Sequence, residues 1–161
     1  MNIADRISRI QPSITLEMTA KAAELRRQGV DVINLSVGEP DFDTPENIKD
    51  AAYSAIKNGL TKYTARSGTP DLKDAIIKKL NRDNNLNFEA NNIIVSCGGK
   101  HSLYNACQVL FQKNDEVIIF TPYWVSFPDF VSITGATPVF VNTDPNKQYE
   151  PNFDELEKAI S

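Results

Sequence analysis

Histidine, tryptophan and cysteine are scarce in this sequence of 161 residues, which holds one His, one Trp and two Cys. A single histidine, His101, leaves a Ser-His-Asp triad or a histidine-rich metal centre little to draw on. Cys97 and Cys107 match neither a metal-ligand spacing nor a CxxC redox pair. They are expected to be reduced and buried, which suits a cytoplasmic protein. There is no basic block, the net charge is -4 and the pI is about 5.0, so the electrostatic footprint of a nucleic-acid binder is missing. The longest apolar runs, such as Val117 to Phe120, are far too short to cross a membrane. Met1 to Ile10 mixes both charge signs without an apolar core and does not read as a signal peptide. Internal repeats and low-complexity tracts are also missing.

What remains is the composition of an ordinary globular domain, 41% hydrophobic and 24% charged. Ser13 and Thr15 are caps for a helix running to about Gln28, closed by Gly29. Val32 to Val37 alternates and is β-branched, which predicts a short strand. Thr44-Pro45-Glu46 and Thr69-Pro70-Asp71 each combine a cap, a proline at the first helical position and an acid in the first turn. They predict helices ending near Asn58-Gly59 and Asn84. Further on, Ile93 to Ser96, Val117 to Phe120 and Thr137 to Val141 read as strands. Helices over Lys100 to Phe111 and Tyr123 to Thr134 separate them, a spacing that predicts a parallel α/β layer. Asn152 and Glu155 form a capping box for a last helix.

Four places are candidates for chemistry. Cys97-Gly98-Gly99-Lys100 puts a glycine turn between a predicted strand and helix, where free amides and the helix dipole favour an anion. It is either a phosphate cradle or a plain strand-to-helix turn, and the motif alone does not choose. It is not a P-loop, because Ile94 stands at the first glycine position and His101 follows the lysine. Pro122-Tyr123-Trp124 follows the next strand, at the edge where open α/β sheets collect ligands. Trp124 there either stacks on a flat ring, worth about 0.5–1.5 kcal/mol beyond burial, or fills the core. Gly38 to Pro45 is a turn whose glycine permits close backbone approach, or a solvated loop. Tyr63 lies in a polar loop, and Lys100 is either a carboxylate partner or a solvated lysine.

Taken together these residues resemble the pyridoxal 5'-phosphate (PLP) aminotransferases of fold type I, and most closely the bacterial aspartate aminotransferase subgroup. The strings that carry the resemblance run in order along essentially the whole chain. They are Pro12-Ser13 with Thr15, Arg26 to Asp31, Gly38-Glu39-Pro40-Asp41-Phe42-Asp43-Thr44-Pro45, Lys62-Tyr63, Gly98-Gly99-Lys100, Asn114 to Ile118, and Pro122-Tyr123-Trp124-Val125-Ser126. The resemblance implies an α/β fold with a mostly parallel sheet flanked by helices. Residues 1–45 would form an N-terminal arm and small-domain segment, and 46–161 part of the PLP-binding large domain. It implies that the Gly38 backbone lies by the substrate α-carboxylate and that the Gly99 and Lys100 amides hold the cofactor phosphate. Trp124 would stack on the pyridine ring, and the Lys100 side chain with Thr15 would recognise the distal carboxylate of an acidic substrate. Tyr63 would reach the phosphate of a neighbouring subunit's cofactor, so a homodimer is expected.

The implied reaction moves an amino group from L-aspartate to 2-oxoglutarate, with small-molecule amino and 2-oxo acids as the only partners besides the second subunit. A prephenate aminotransferase or another fold type I enzyme is the nearest alternative, and a non-catalytic remnant that pairs with intact subunits is a third. Two substitutions depart from the subgroup pattern: His101 stands where glutamine is usual, and Phe127 where tyrosine is common. Family chains are more than twice as long. The lysine that anchors PLP, the aspartate on its ring nitrogen and the arginine that clamps the α-carboxylate are all expected beyond Ser161. The chain is thus expected to be a truncated, inactive segment that folds poorly by itself.

Overall fold

The computed structural model describes residues 3–10 and 12–161, and its contacts divide into two units, Pro12–Ala90 and a second made of the N-terminal stretch with Asn91–Ser161. The first unit is helical. Helix α1 spans Ile14–Arg27, and Ser13 caps it by accepting from the Leu16 amide at 3.4 Å. Helix α2 spans Glu46–Lys57 and α3 spans Pro70–Asn84. The prolines start both late helices as expected, with one shift. Pro45 itself occupies the N-cap of α2, and neither Pro45 nor Thr69 makes a side-chain cap bond. Asn85 closes α3 in the left-handed region, φ 54.

Val32 to Val37, expected as a strand, forms none. Its side chains do alternate, but Ile33 (85% exposed) and Leu35 (91%) face solvent while Asn34 and Ser36 are half-buried. A strand is a property of pairing, and no neighbour in this unit offers this segment a ladder.

The second unit carries the sheet. Helix α4 spans Gly99–Leu110, strand β1 Glu116–Thr121, helix α5 Ser126–Ser132 and strand β2 Thr137–Asp144. β1 and β2 run parallel in register from Glu116 opposite Thr137 to Thr121 opposite Asn142, with α5 in the crossover. Helix α5 is shorter than expected because Pro122 to Val125 turn outside it. Ile93 to Ser96 is extended but unpaired, so the expected three-strand parallel layer is a parallel pair. The third strand is one the pattern does not reveal: β3, Glu150–Pro151, pairs antiparallel to the end of β2. Helix α6, Phe153–Ala159, is capped by Asn152, whose side-chain oxygen accepts from the Asp154 and Glu155 amides at 3.1 and 3.2 Å. The capping box is only half built. Glu155 turns to the sheet instead, and its Oε2 accepts from the Asn142 amide at 3.1 Å.

The core of this unit is small. Ile119 from β1, Val131 from α5 and Ala136 before β2 are buried together, with Phe111, Val117 and Phe127 packed against them. Gly135 makes the tight α5–β2 turn at φ +97, where an added Cβ would stand 3.0 Å from the Arg9 guanidinium and 3.4 Å from the Lys113 backbone. The chain as a whole leaves 13534 Å² accessible to solvent. A folded monomer of its mass exposes about 8,000 Å², and two separate compact halves would expose roughly 9,700 Å². The excess does not depend on how the units are arranged. It is carried by large apolar side chains such as Leu35, Phe42 and Tyr53, each more than seven-tenths exposed.

Surface of that size and character drives association. At micromolar concentration the purified chain is expected to elute as mixed oligomers and to brighten an apolar dye such as ANS. A sharp monomeric peak with a cooperative melt and no dye binding would contradict this reading of the packing.

Candidate active site

The loop from Cys97 to Gly99 enters α4 through an unusual backbone. Gly98 sits at φ 82, ψ 166, a combination that a residue with a Cβ scarcely adopts. The turn is closed by the Gly98 amide donating to the Ser96 carbonyl at 2.8 Å. It is also pinned by His101, whose Nδ1 accepts from the Cys97 amide at 3.2 Å. The first α-helical bond is Ser102 N–H to the Gly98 carbonyl at 3.3 Å, so the amides of Gly99, Lys100 and His101 precede it and have no intrahelical acceptor. A Cβ built at Gly98 or Gly99 would meet nothing within 4 Å, so the space over these amides is open. Three free donors at the positive end of a helix form a ready anion seat.

The C-terminal end of β1 faces the same helix. Its Thr121–Pro122 peptide is cis. Thr121 donates through Oγ1 to Asn142 Oδ1 at 3.1 Å and accepts at its carbonyl from the Thr143 hydroxyl, which knits the two strand ends. Tyr123 stacks on Phe140 of β2 with ring centroids 5.0 Å apart. Trp124 follows and is 41% exposed, so it does not fill the core. Phe127 and Phe130 cross it nearly at right angles, at 5.5 and 5.9 Å between centroids. The Lys100 ammonium lies over the indole, 4.9 Å from its centroid. Below the indole is an apolar cavity of about 400 Å³, walled by Leu103 and Cys107 of α4, Ile119 of β1 and Phe130 of α5.

The structure therefore brings Gly99, Lys100 and Trp124 together in one unit. Thr15, Gly38 and Tyr63 lie in the other unit. There, the Thr15 carbonyl accepts from Thr19 Oγ1 at 2.8 Å, and Thr19 Oγ1 is 3.4 Å from Ser36 Oγ. That chain of contacts ties the first turn of α1 to the extended segment that leads into Gly38. Tyr63 is fully exposed between α2 and α3.

Energies sort these contacts. A cation–π contact at an exposed site is worth about 0.5–1 kcal/mol. An exposed lysine–carboxylate pair is worth about 0–1 kcal/mol, but a hydrogen bond to a charged group sheltered from water reaches about 1.5–3 kcal/mol. Lys100 thus sits on Trp124 by a narrow margin that a sheltered anion would overcome.

Two features lie outside the sequence reading. Phe127 and Phe130, three and six residues on from Trp124, lie on α5 and brace the indole, a role the sequence does not mark. His101 also has a structural part that its sequence context does not show, since its imidazole caps the turn by accepting from the Cys97 amide. The expectation of two buried thiols needs correcting. Cys97, in the turn before α4, is exposed, and Cys107 is half-buried beside the apolar cavity. Burial pushes the Cys107 thiol above its ordinary range.

Comparison with known proteins agrees with this geometry. The β1–α5–β2 unit preceded by a glycine-opened helix defines an α/β fold, and residues 30–161 match the family model for aminotransferase class I and II. The chain belongs to that family. It is 51% identical over its full length to an aspartate/prephenate aminotransferase of Nitrosomonas europaea, of which it covers 41%. It is 48% identical over 159 residues to an aspartate aminotransferase of Bacillus sp. strain YM-2, again covering 41% of that protein. Its fold superposes on aspartate aminotransferase from Thermus thermophilus with maleate at a TM-score of 0.94, with 42% identity, covering 100% of this chain and 42% of that one. The chain thus spans about two fifths of the length of these relatives.

The glycine turn yields a prediction. Gly98→Ala forces a side chain into a strained conformation, at a cost of about 1–3 kcal/mol, whereas Gly99→Ala meets open space. Hydrogen exchange at the Ser102 amide should speed up roughly tenfold or more in Gly98→Ala and hardly at all in Gly99→Ala. The cysteines yield another. Iodoacetamide at pH 8 should label exposed Cys97 first. Cys107 should lag, because its raised thiol holds less thiolate at that pH, and should catch up as the pH climbs. Peptide mass mapping would show the order, and equal rates would refute it.

Proposed function

We propose that this chain supplies the cofactor-phosphate cradle and ring-stacking wall of a PLP-dependent aspartate aminotransferase. The reaction is transfer of an amino group from L-aspartate to 2-oxoglutarate, giving oxaloacetate and L-glutamate. The observation that carries the reading is the convergence of open α4 amides, a half-exposed indole and a lysine ammonium at one sheet edge. A phosphorylated flat ring fits that set: the amides take the phosphate, and no Cβ at Gly98 or Gly99 crowds it.

When bound, PLP supplies the electron sink for breaking bonds at the substrate α-carbon. The residues of this chain bind and orient. The amides of Gly99 and Lys100 would hold the phosphate oxygens, with the dipole of α4 adding attraction. Trp124, held by Phe127 and Phe130, would offer its indole face to the cofactor ring and shield that side from water. Lys100, a compact charge on a flexible stem, pairs with the distal carboxylate of the acidic substrate, assisted by Thr15. The backbone of Gly38 receives the α-carboxylate. Tyr63, fully exposed, is free to reach the cofactor phosphate of a second subunit, and we assign a homodimer on that ground. In the whole protein, residues 1–45 would serve as arm and small-domain segment and 46–161 as part of the large domain. Among the described residues no helix is long and apolar enough to cross a membrane. A cytoplasmic location remains part of the proposal.

We assign the anchoring lysine to the part of the relatives' length that this chain does not span, so no catalytic residue is assigned here. A second reading, transfer to prephenate, is favoured by the name of the Nitrosomonas europaea relative. Two measurements decide. Borohydride reduction of the chain with PLP should give no stoichiometric label at a single lysine and no transamination. A polypeptide continuing this sequence to the relatives' length should transaminate L-aspartate, and competition between prephenate and 2-oxoglutarate separates the two acceptors. Stoichiometric labelling and turnover by the 161-residue chain would overturn the assignment.

A further inference from the structure

We propose that Lys100 is a displaceable occupant of the Trp124 ring. Without an anion its ammonium rests on the indole, and the distal carboxylate of a dicarboxylic acid draws it off. One movement of the side chain then both uncovers the ring face and delivers the charge that binds the acid. The proposal rests on the aminotransferase reading and adds to it a coupling between ring face and carboxylate.

Three observations carry it. The ammonium is 4.9 Å from the indole centroid, and the ion pairs among the described residues engage Lys21, Lys49, Lys79 and Arg82 but not Lys100. The indole is braced by two rings at steep angles, so the part free to move is the lysine's four-carbon stem. The Lys100 backbone is fixed in the first turn of α4, two residues after Gly98, so its amide stays aimed at one anion while its side chain answers to another. At this exposed site the cation–π contact and a lysine–carboxylate pair are of similar, small strength, so an excess of a dicarboxylic acid draws the ammonium off by mass action. The order of events follows. The lysine covers the ring face until an acid arrives, and a flat ligand on that face has to push the ammonium aside.

The chain holds one tryptophan, so its emission reports Trp124 alone. A unit charge 4.9 Å from the ring raises the local iodide concentration about twofold in roughly 0.1 M salt. The ratio of iodide to acrylamide quenching is therefore expected to fall about twofold in Lys100→Met and in the polar, neutral Lys100→Gln, and to persist in Lys100→Arg. Succinate added to the wild-type chain at constant ionic strength should bring its ratio down to that of Lys100→Met, while inorganic phosphate should not, and Lys100→Met should respond to neither. Equal ratios in wild type and both neutral variants would show that no ammonium covers the ring. An unchanged wild-type ratio with succinate would show that a carboxylate does not displace it. Either result overturns the proposal, as does phosphate acting like succinate, which would move the ammonium into the cradle. Failure of the aminotransferase reading shows instead in the labelling and transamination measurements, which do not use Trp124 emission, so the two can fall separately.

Discussion

The parallel ladder between β1 and β2 is the constraint on which the site depends. Its register from Glu116–Thr137 to Thr121–Asn142 sets where β1 stops, and the chain turns there through Pro122 to present Trp124. The ladder holds because α5, in the crossover, drops Val131 onto Ile119 and Ala136. Phe127 shares in that packing and also braces the indole. Core and site therefore use the same helix. A change that loosened the core would tilt the aromatic wall as well, which couples stability to binding geometry through one short element.

The second element of the site is local. The start of α4 is shaped by Gly98 in a conformation other residues avoid, by a two-residue turn and by the imidazole of His101. None of these needs the rest of the molecule. The open amides at the start of α4 are thus set by local geometry, independently of how much of the rest of the chain is exposed.

That difference explains what the sequence made legible. Helices announce themselves through short-range chemistry, so Ser13, Pro70 and Asn152 mark real starts. The Gly98–Lys100 turn was readable for the same reason. Strands depend on distant partners. Val32 to Val37 and Ile93 to Ser96 have the right residues and stay unpaired, whereas Glu150–Pro151 pairs without any pattern to mark it. The contact between Lys100 and Trp124 lay beyond sequence reading altogether. It spans an intervening strand, and only the packing of α4 against α5 brings the two side chains within 4.9 Å. The buried-thiol expectation failed at Cys97 because residue type predicts average burial, and Cys97 stands exposed in the turn before α4.

The carboxylate of Glu155 has a consequence for how this sheet can grow. By accepting the Asn142 amide it stoppers β2 on the side away from β1, and β3 covers the next two residues. The far side of β1 has no such plug among the described residues. The edge of this sheet that is open to pairing therefore lies along β1, where backbone groups facing away from β2 invite a partner strand.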